Sequence, residues 1–111
     1  DHTRVVNNIV YDNRHGISEQ GATGPHNVYR NNLVFGNPDG DWHLADGMTH
    51  SGTVEAPPRF VAYTRDGTPD FALAQDSPAI GKGLSEGDTG PDFYGKVRPA
   101  KEPVDIGAAQ H

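Results

Sequence analysis

A stretch of seven residues occurs twice in this chain, and the two copies lie 24 positions apart. Residues 7–13 read NNIVYDN and residues 31–37 read NNLVFGN, and the same spacing relates Gly16 to Gly40. Repeats of about 20–50 residues are typical of solenoids, in which each repeat forms one coil and buries its apolar side chains against its neighbour. The repeat therefore predicts a β-solenoid.

The repeated residues also predict how the two coils pair. Ile9 and Tyr11 lie on one side of a strand and Val10 on the other, because side chains alternate along a strand. Aligned residues would stack about 4.8 Å apart, and stacked asparagines would exchange amide hydrogen bonds. The expected stacked pairs are Ile9 with Leu33, Tyr11 with Phe35, and Asn13 with Asn37. The predicted fold class is all-β, a right-handed parallel β-helix with an irregular C-terminal closing segment.

We expect one domain in two parts, the coils in residues 1–63 and the closing segment in residues 64–111. A third coil is predicted at residues 59–63, where Phe60 would follow Tyr11 and Phe35. Residues 104–108 are predicted to form a last strand that covers the solenoid end. The opposite end has no predicted cap, so we expect upstream coils or another subunit to pair with this N-terminal edge.

The composition limits the function classes. The 111 residues include nine Lys and Arg against 15 Asp and Glu, which gives a net charge of −6. This balance argues against nucleic-acid binding, which needs clustered basic residues, and against an anionic membrane surface. Cysteine is absent, so neither disulfides nor thiolate metal sites are expected. No apolar stretch approaches the roughly 18 residues of a membrane span.

The C-terminal half carries four motifs. Residues 70–73 read DFAL, residues 77–83 read SPAIGKG, residues 92–99 read DFYGKVRP and residues 105–108 read DIGA. Together with the asparagine-bearing coils, these motifs resemble the closing segment of secreted bacterial right-handed β-helix proteins of the pectate-lyase-like superfamily. The resemblance implies an extracellular location and a polysaccharide partner. Lyases of that superfamily carry calcium and a Lys or Arg base on middle coils that have no counterpart here.

The charged residues suggest two kinds of chemistry, calcium binding and base catalysis. Four aspartates could supply oxygen ligands to calcium: Asp12, Asp39, Asp41 and Asp46. Aspartates in turns more often accept local backbone hydrogen bonds. All three lysines that could act as a base lie in the closing segment: Lys82, Lys96 and Lys101. No complete lyase site is predicted, and no catalytic residue is assigned.

Three histidines share the repeat spacing: His2, His26 and His50. If the spacing holds in the fold, their rings stack one coil apart. A transition metal could bridge neighbouring rings, although metal ligands normally converge on one point. The alternative interpretation is a surface ladder of neutral histidines.

Trp42 is the only tryptophan, and it follows a turn. At the repeat spacing, Ser18 and Glu19 become the neighbours of Trp42 and His43. An aromatic ring beside a carboxylate and an imidazole could hold the flat face of a sugar, so the predicted carbohydrate-binding residues are Trp42, Glu19 and His43. The alternative is that Trp42 packs in the interior. Weaker candidates for the same surface are Tyr29, Tyr63 and Tyr94.

Three functions remain open from the sequence. The leading hypothesis is a non-catalytic, polysaccharide-binding module or terminal segment of a secreted polysaccharide-processing protein. The second is part of a polysaccharide lyase whose catalytic coils lie upstream. The third is a purely structural cap of a longer solenoid.

Overall fold

The computed structural model describes residues 2–45, 47–61, 71–84, 92, 94, 96, 98 and 104–111. Among these residues there are six short strands and no helix. The strands are β1 (Arg4–Val6), β2 (Ile9–Tyr11), β3 (Ile17–Ser18), β4 (Val28–Arg30), β5 (Leu33–Phe35) and β6 (Trp42–His43). They form three two-stranded parallel sheets, β1 with β4, β2 with β5, and β3 with β6.

The sheets pair the first repeat (residues 3–19) with the second repeat (residues 27–43). In the middle sheet Ile9 lies opposite Leu33, and Tyr11 lies opposite Phe35. The rings of Tyr11 and Phe35 are nearly parallel, with centroids 6.5 Å apart. The predicted pairing of these residues is confirmed.

Paired polar residues form the corner between β1 and β2, and the same corner recurs between β4 and β5. Asn7 and Asn31 adopt left-handed backbone conformations, with φ of 62° and 55°. Asparagine tolerates this conformation better than most residues, which explains its use at the bend. The next residue, Asn32, turns its amide inward and is fully buried.

The buried amide of Asn32 replaces a strand hydrogen bond at this corner. Its Oδ1 accepts from the backbone N–H of Asn8 at 2.9 Å, and its Nδ2 donates to the carbonyl of Val5 at 2.9 Å. The N–H of Asn8 lies at the bend between β1 and β2, and the amide of Asn32 supplies its partner. The side chain therefore satisfies the backbone of the first repeat at the bend.

Two other corners use the same arrangement. The Oδ1 of Asn27 accepts from the N–H of Thr3 at 2.9 Å, and that of Asn37 accepts from the N–H of Asn13 at 3.0 Å. The Nδ2 of Asn37 donates to the carbonyl of Val10 at 3.1 Å. The predicted exchange of amide hydrogen bonds between Asn13 and Asn37 is thus replaced by bonds from one amide to the neighbouring backbone.

The predicted right-handed parallel β-helix is wrong as the fold class. Each sheet contains only two strands, and the described residues form no closed solenoid. The next parallel contacts are isolated bridges from Arg30 to Ser51 and from Leu33 to Val54, a spacing of 21 instead of 24. This third stretch, residues 51–54, makes single bridges in place of strands.

The predicted third coil at residues 59–63 is also wrong for its described part. Phe60 bridges Leu73 in the antiparallel direction, so it does not continue the parallel stack of Tyr11 and Phe35. Val54 instead extends the stack that contains Leu33. Residues 62 and 63 of this prediction lie outside the described residues.

The core joins the repeats to the C-terminal part of the chain. Leu33 is fully buried in a cluster with Leu73, Ala79 and Ile106. Partly buried side chains pack around this cluster: Ile9, Phe35, Val54, Phe60 and Ile80. The apolar side chains of β2 and β5 thus bury themselves against residues distant in sequence.

The predicted last strand at residues 104–108 is not a strand. This segment nevertheless packs on the first repeat, since the N–H of Gly107 donates to the carbonyl of Asn7 at 2.9 Å. Arg98 holds the segment by donating to the carbonyls of Asp105 and Gly107, at 3.1 and 2.8 Å. Individual hydrogen bonds of this kind, without a strand ladder, position the end of the chain.

Candidate functional site

The third sheet is offset by one residue from the repeat spacing. Ile17 lies opposite Trp42, and Ser18 lies opposite His43, which is a spacing of 25. The predicted placement of Ser18 beside Trp42 is therefore wrong by one position. The extra residue lies in a turn in which the N–H of Gly40 donates to the carbonyl of Asn37 at 2.9 Å.

Glu19 remains next to His43 despite this offset, because its N–H donates to the carbonyl of His43 at 2.8 Å. The two side chains line one open pocket of about 200 Å³. The pocket is lined by His15, Ser18, Glu19, Gln20 and His43. Every one of these side chains can form hydrogen bonds, so the pocket presents polar groups at short range to any ligand.

Hydrogen bonds from several donors fix the Glu19 carboxylate in the pocket wall. Its Oε1 accepts from the N–H of Ala45 at 2.7 Å. Its Oε2 accepts from the hydroxyl of Tyr29 at 2.7 Å and from Nδ2 of Asn27 at 2.9 Å. The donors come from β4, from the corner before it, and from the segment after β6. The carboxylate thereby ties the third sheet to the first.

These donors favour the charged form of Glu19. The hydrogen bond from the Ala45 backbone, followed by those from Tyr29 and Asn27, lowers the pKa of Glu19 to about 2. Burial, with the hydrogen bond to Glu19, raises the pKa of Tyr29 to about 12. The pocket wall therefore carries a carboxylate charge that persists through the physiological pH range.

Two imidazole rings form the opposite part of the pocket. The rings of His15 and His43 meet edge to face, with centroids 6.0 Å apart and planes at 73°. Nε2 of His43 lies 3.0 Å from the carbonyl oxygen of Asp39. A carbonyl can only accept, so this contact requires a proton on Nε2, and a neutral His43 then keeps Nδ1 as an acceptor.

Asp39 also fixes the outer side of the pocket. Its Oδ2 accepts from Nε of Arg14 at 2.6 Å and lies 3.9 Å from Nε2 of His15. All three side chains are substantially exposed. The charges of Arg14 and Asp39 thus compensate each other beside the pocket.

Trp42 lies close to this pocket but is not among its lining residues. One face of its ring stacks on His50, with centroids 4.0 Å apart and planes at 5°, and Tyr29 contacts it at 84°. Its Nε1 is buried without a hydrogen-bond partner. The role of Trp42 as a sugar platform stays a prediction, and any ligand would have to use the face that His50 leaves uncovered.

The predicted histidine column is confirmed for two of its three members. His2 and His26 stack with centroids 4.7 Å apart and planes at 9°. His50 lies elsewhere, because the third stretch has the shorter spacing, and its Nδ1 contacts Oγ1 of Thr53 at 2.6 Å. Lone pairs of parallel rings do not converge, so the stacked pair lacks the geometry of a metal site.

The aspartates considered for calcium are engaged separately. Asp39 pairs with Arg14, and Oδ1 of Asp41 accepts from Nδ2 of Asn37 at 2.8 Å. Among the described residues no group of three or more His, Cys, Asp or Glu side chains is arranged to hold a metal ion. Asp46 lies outside the described residues, as does Lys101.

Two of the three tyrosines that are weaker candidates, Tyr29 and Tyr94, are described, and neither lines this pocket. Tyr29 is buried and reaches the pocket only through its hydrogen bond to Glu19. Tyr94 is 52% exposed, and its hydroxyl accepts from the N–H of Phe71 at 2.9 Å. Tyr63 lies outside the described residues.

Three pocket residues were missed by sequence reasoning: His15, Ser18 as a lining residue, and Gln20. Each lies within a few positions of Glu19 at the end of the first repeat. His15 lies opposite the turn at residues 37–40 of the next repeat, and this position could have indicated that His15 joins the pocket. The extra residue in that turn hides the correspondence, because it changes the spacing from 24 to 25.

No helix in the described part of the chain is long and apolar enough to cross a membrane. Comparisons with protein-family models, curated proteins and solved structures found no match to this chain.

Proposed function

We propose that this chain is a non-catalytic, carbohydrate-binding unit of a secreted polysaccharide-processing protein, and that it binds sugar in the pocket lined by Glu19 and His43. The observation that carries the proposal is that all five side chains lining that pocket can form hydrogen bonds. The extracellular location is supported by the resemblance of the C-terminal motifs to secreted bacterial proteins.

The pocket suits one sugar ring. Its volume of about 200 Å³ is below the roughly 300–1,000 Å³ of sites for drug-sized ligands. Sugar hydroxyls both donate and accept, and the lining supplies an amide, a hydroxyl, a carboxylate and two imidazoles. An open pocket lets the rest of a polymer extend across the surface. These features favour a unit within a polysaccharide over an enclosed small molecule.

Packing around the pocket gives it a fixed shape before a ligand binds. The hydrogen bond from Ala45 to Glu19 holds the ends of β3 and β6 together, and the stacking of Trp42 on His50 holds β6 against the segment that follows it. A binding site that is already ordered loses less conformational entropy on association. In this proposal Trp42 supports the strand that carries His43, whether or not its free face also touches sugar.

The test is binding of the chain to a panel of immobilised polysaccharides, measured by affinity electrophoresis and then by calorimetry. The variants are His43→Ala and Gln20→Ala. Each removes one exposed hydrogen-bonding group worth about 0.5–1.5 kcal/mol, so binding should weaken roughly two- to tenfold. His26→Ala is the matched control, because His26 is an exposed histidine that does not line the pocket.

Thermal melting of the same variants separates loss of binding from loss of folding. We expect Gln20→Ala to retain the wild-type melting temperature, since the Gln20 side chain is exposed. If no polysaccharide binds the folded wild-type protein, the proposal is wrong and a structural role is favoured. Release of unsaturated, ultraviolet-absorbing product from pectate or alginate would instead favour the lyase alternative.

Trp42→Ala decides between the two roles of the tryptophan. A platform role predicts weaker binding by about tenfold with an unchanged melting temperature. A packing role predicts a lower melting temperature, because truncation would leave His50 and Tyr29 without their ring contacts. A drop in melting temperature with no separate effect on binding would remove Trp42 from the site.

A further inference from the structure

We infer that the pocket accepts an uncharged sugar unit and discriminates against uronates. This inference rests on the proposed function and specifies its substrate class. Its basis is the placement of one carboxylate in the pocket wall without an opposite charge among the lining residues.

The Glu19 carboxylate cannot easily turn away from a ligand. Its two oxygens accept hydrogen bonds from Ala45, Tyr29 and Asn27, at 2.7, 2.7 and 2.9 Å. Moving it would leave three donors without their acceptor, which is unfavourable. The negative charge is therefore a fixed property of the pocket.

No lysine or arginine lines this pocket to offset that charge. Arg14 precedes His15 in the chain, but its Nε is paired with Oδ2 of Asp39 at 2.6 Å. Glu19 carries the one carboxylate among the five lining side chains.

A uronate would bring a second negative charge into the same small volume. Like charges at short distance repel, and the repulsion weakens as salt shortens the screening length. Specific sites commonly reject a wrong ligand by such repulsion. The resemblance to pectate-lyase-like proteins would suggest a uronate polymer, whereas the charge of this pocket favours a neutral one.

The experiment compares neutral with acidic polymers and includes one matched pair that differs in the charge at C6. The neutral panel consists of glucans, galactans and mannans, and the acidic panel consists of polygalacturonate and alginate. The neutral polymer that binds most tightly is also tested after oxidation of its C6 hydroxyls to carboxylates. At pH 8 and low salt we expect the neutral form to bind at least about tenfold more tightly, which corresponds to about 1.4 kcal/mol.

Salt dependence tests the electrostatic origin of the difference. Raising the ionic strength from about 0.01 M to about 1 M shortens the screening length from about 30 Å to about 3 Å. The preference for the neutral form should shrink accordingly. A preference that does not change with salt would show that shape, not charge, causes the discrimination, and would overturn the inference.

Two substitutions move the pocket charge in opposite directions. Glu19→Gln should narrow the preference for the neutral polymer, provided that melting shows the variant to be folded. Gln20→Glu adds a second carboxylate at an exposed lining position and should widen the preference without depending on the Glu19 hydrogen bonds. An unchanged preference in Gln20→Glu would contradict the inference even if Glu19→Gln fails to fold.

The outcomes separate this inference from the function on which it rests. If polygalacturonate or the oxidised polymer binds as tightly as the neutral one, the inference is wrong while carbohydrate binding stands. If neither class binds, carbohydrate binding itself is wrong.

Discussion

The repeats in residues 3–43 and the described C-terminal residues hold their backbones by different means. In the repeats, three two-stranded sheets and three buried asparagines supply hydrogen-bond partners to the backbone. These hydrogen bonds join residues that are 24 or 25 positions apart. In residues 71–84 and 104–111 there is no strand, only the isolated bridge at Leu73. There, single side chains such as Asp105 and Arg98 bond to individual backbone groups.

This difference shows two ways to satisfy buried backbone groups in a chain with few apolar residues. A repeat reuses one local solution, so a single side-chain type serves several corners. The irregular part needs a separate solution at each position. The two parts nevertheless share one apolar cluster, in which Leu33 of the second repeat contacts the C-terminal residues. We therefore expect the parts to unfold together when that cluster is disrupted and separately when a peripheral bond is lost.

Leu33→Ala should have the largest effect. Leu33 is fully buried in the shared cluster, so truncation removes apolar contact and leaves a cavity at the meeting point of the two parts. The expected loss is about 2–5 kcal/mol of unfolding free energy. Chemical denaturation measures it, with Val61→Ala as the control, because Val61 is 64% exposed. A loss below about 1 kcal/mol would show that the two parts do not depend on one core.

Asn32→Ala tests how much a buried corner asparagine stabilises the fold, compared with the exposed asparagine at the same position of the first repeat. Removing the buried amide leaves the N–H of Asn8 without its partner and takes one hydrogen bond from the carbonyl of Val5, which should cost about 1–3 kcal/mol. The matched control is Asn8→Ala, one repeat earlier, whose side chain is exposed. We expect the control to cost clearly less in the same denaturation experiment. Equal losses would mean that burial does not distinguish the two repeats.

Asp105→Asn tests whether the C-terminal part can open alone. Oδ1 of Asp105 accepts from the N–H of Gly81 at 2.7 Å, and Oδ2 accepts from that of His111 at 2.6 Å. An asparagine can accept only one of these bonds, so the expected cost is about 0.5–1.5 kcal/mol. Hydrogen exchange should speed up in residues 104–111 while amides of β2 and β5 remain protected. Equal acceleration in both parts would contradict separate opening.

Glu19→Gln should have the smallest effect of the four substitutions, and that effect should be present near neutral pH and shrink in acid. The pKa of Glu19 is lowered from 4.5 to about 2, so the folded state holds the proton less tightly than the unfolded chain. This contribution is fully present above about pH 4.5 and is lost as pH falls toward 2. Melting temperature against pH should therefore fall less steeply over this range in Glu19→Gln than in the wild type. Parallel profiles would show that Glu19 does not link the first and third sheets.

Much of the repeat region could be predicted from the sequence, and little of the rest. The pairing of Ile9 with Leu33 follows from seven nearly matching residues, because equal spacing and equal alternation leave one consistent alignment. The predicted pairing of the third sheet is wrong by one residue, because the turn before Trp42 contains an extra residue that no local pattern reveals. Phe60 was assigned to a parallel stack from its residue type, whereas its contact with Leu73 runs antiparallel.

The candidate site could likewise be predicted from the sequence only in part. Glu19 and His43 were expected together, and they line one pocket because their backbones are hydrogen-bonded. The stacking of Trp42 on His50 could not be predicted, because His50 reaches it only through the shorter spacing of the third stretch. Nor could the sequence reveal that Ala45, Tyr29 and Asn27 would fix the Glu19 carboxylate.

By itself the sequence determined the repeat spacing, the pairing of the middle sheet, and the acidic, cysteine-free character of the chain. These properties depend on residues close in sequence or on exact repetition. The tertiary structure alone decided how many strands each sheet has, which side chains line the pocket, and how the C-terminal residues cover the repeats. Those outcomes depend on an insertion of one residue before Trp42 and on a later spacing that is three residues shorter. Such shifts redirect later contacts, because a strand paired one position away presents its opposite face.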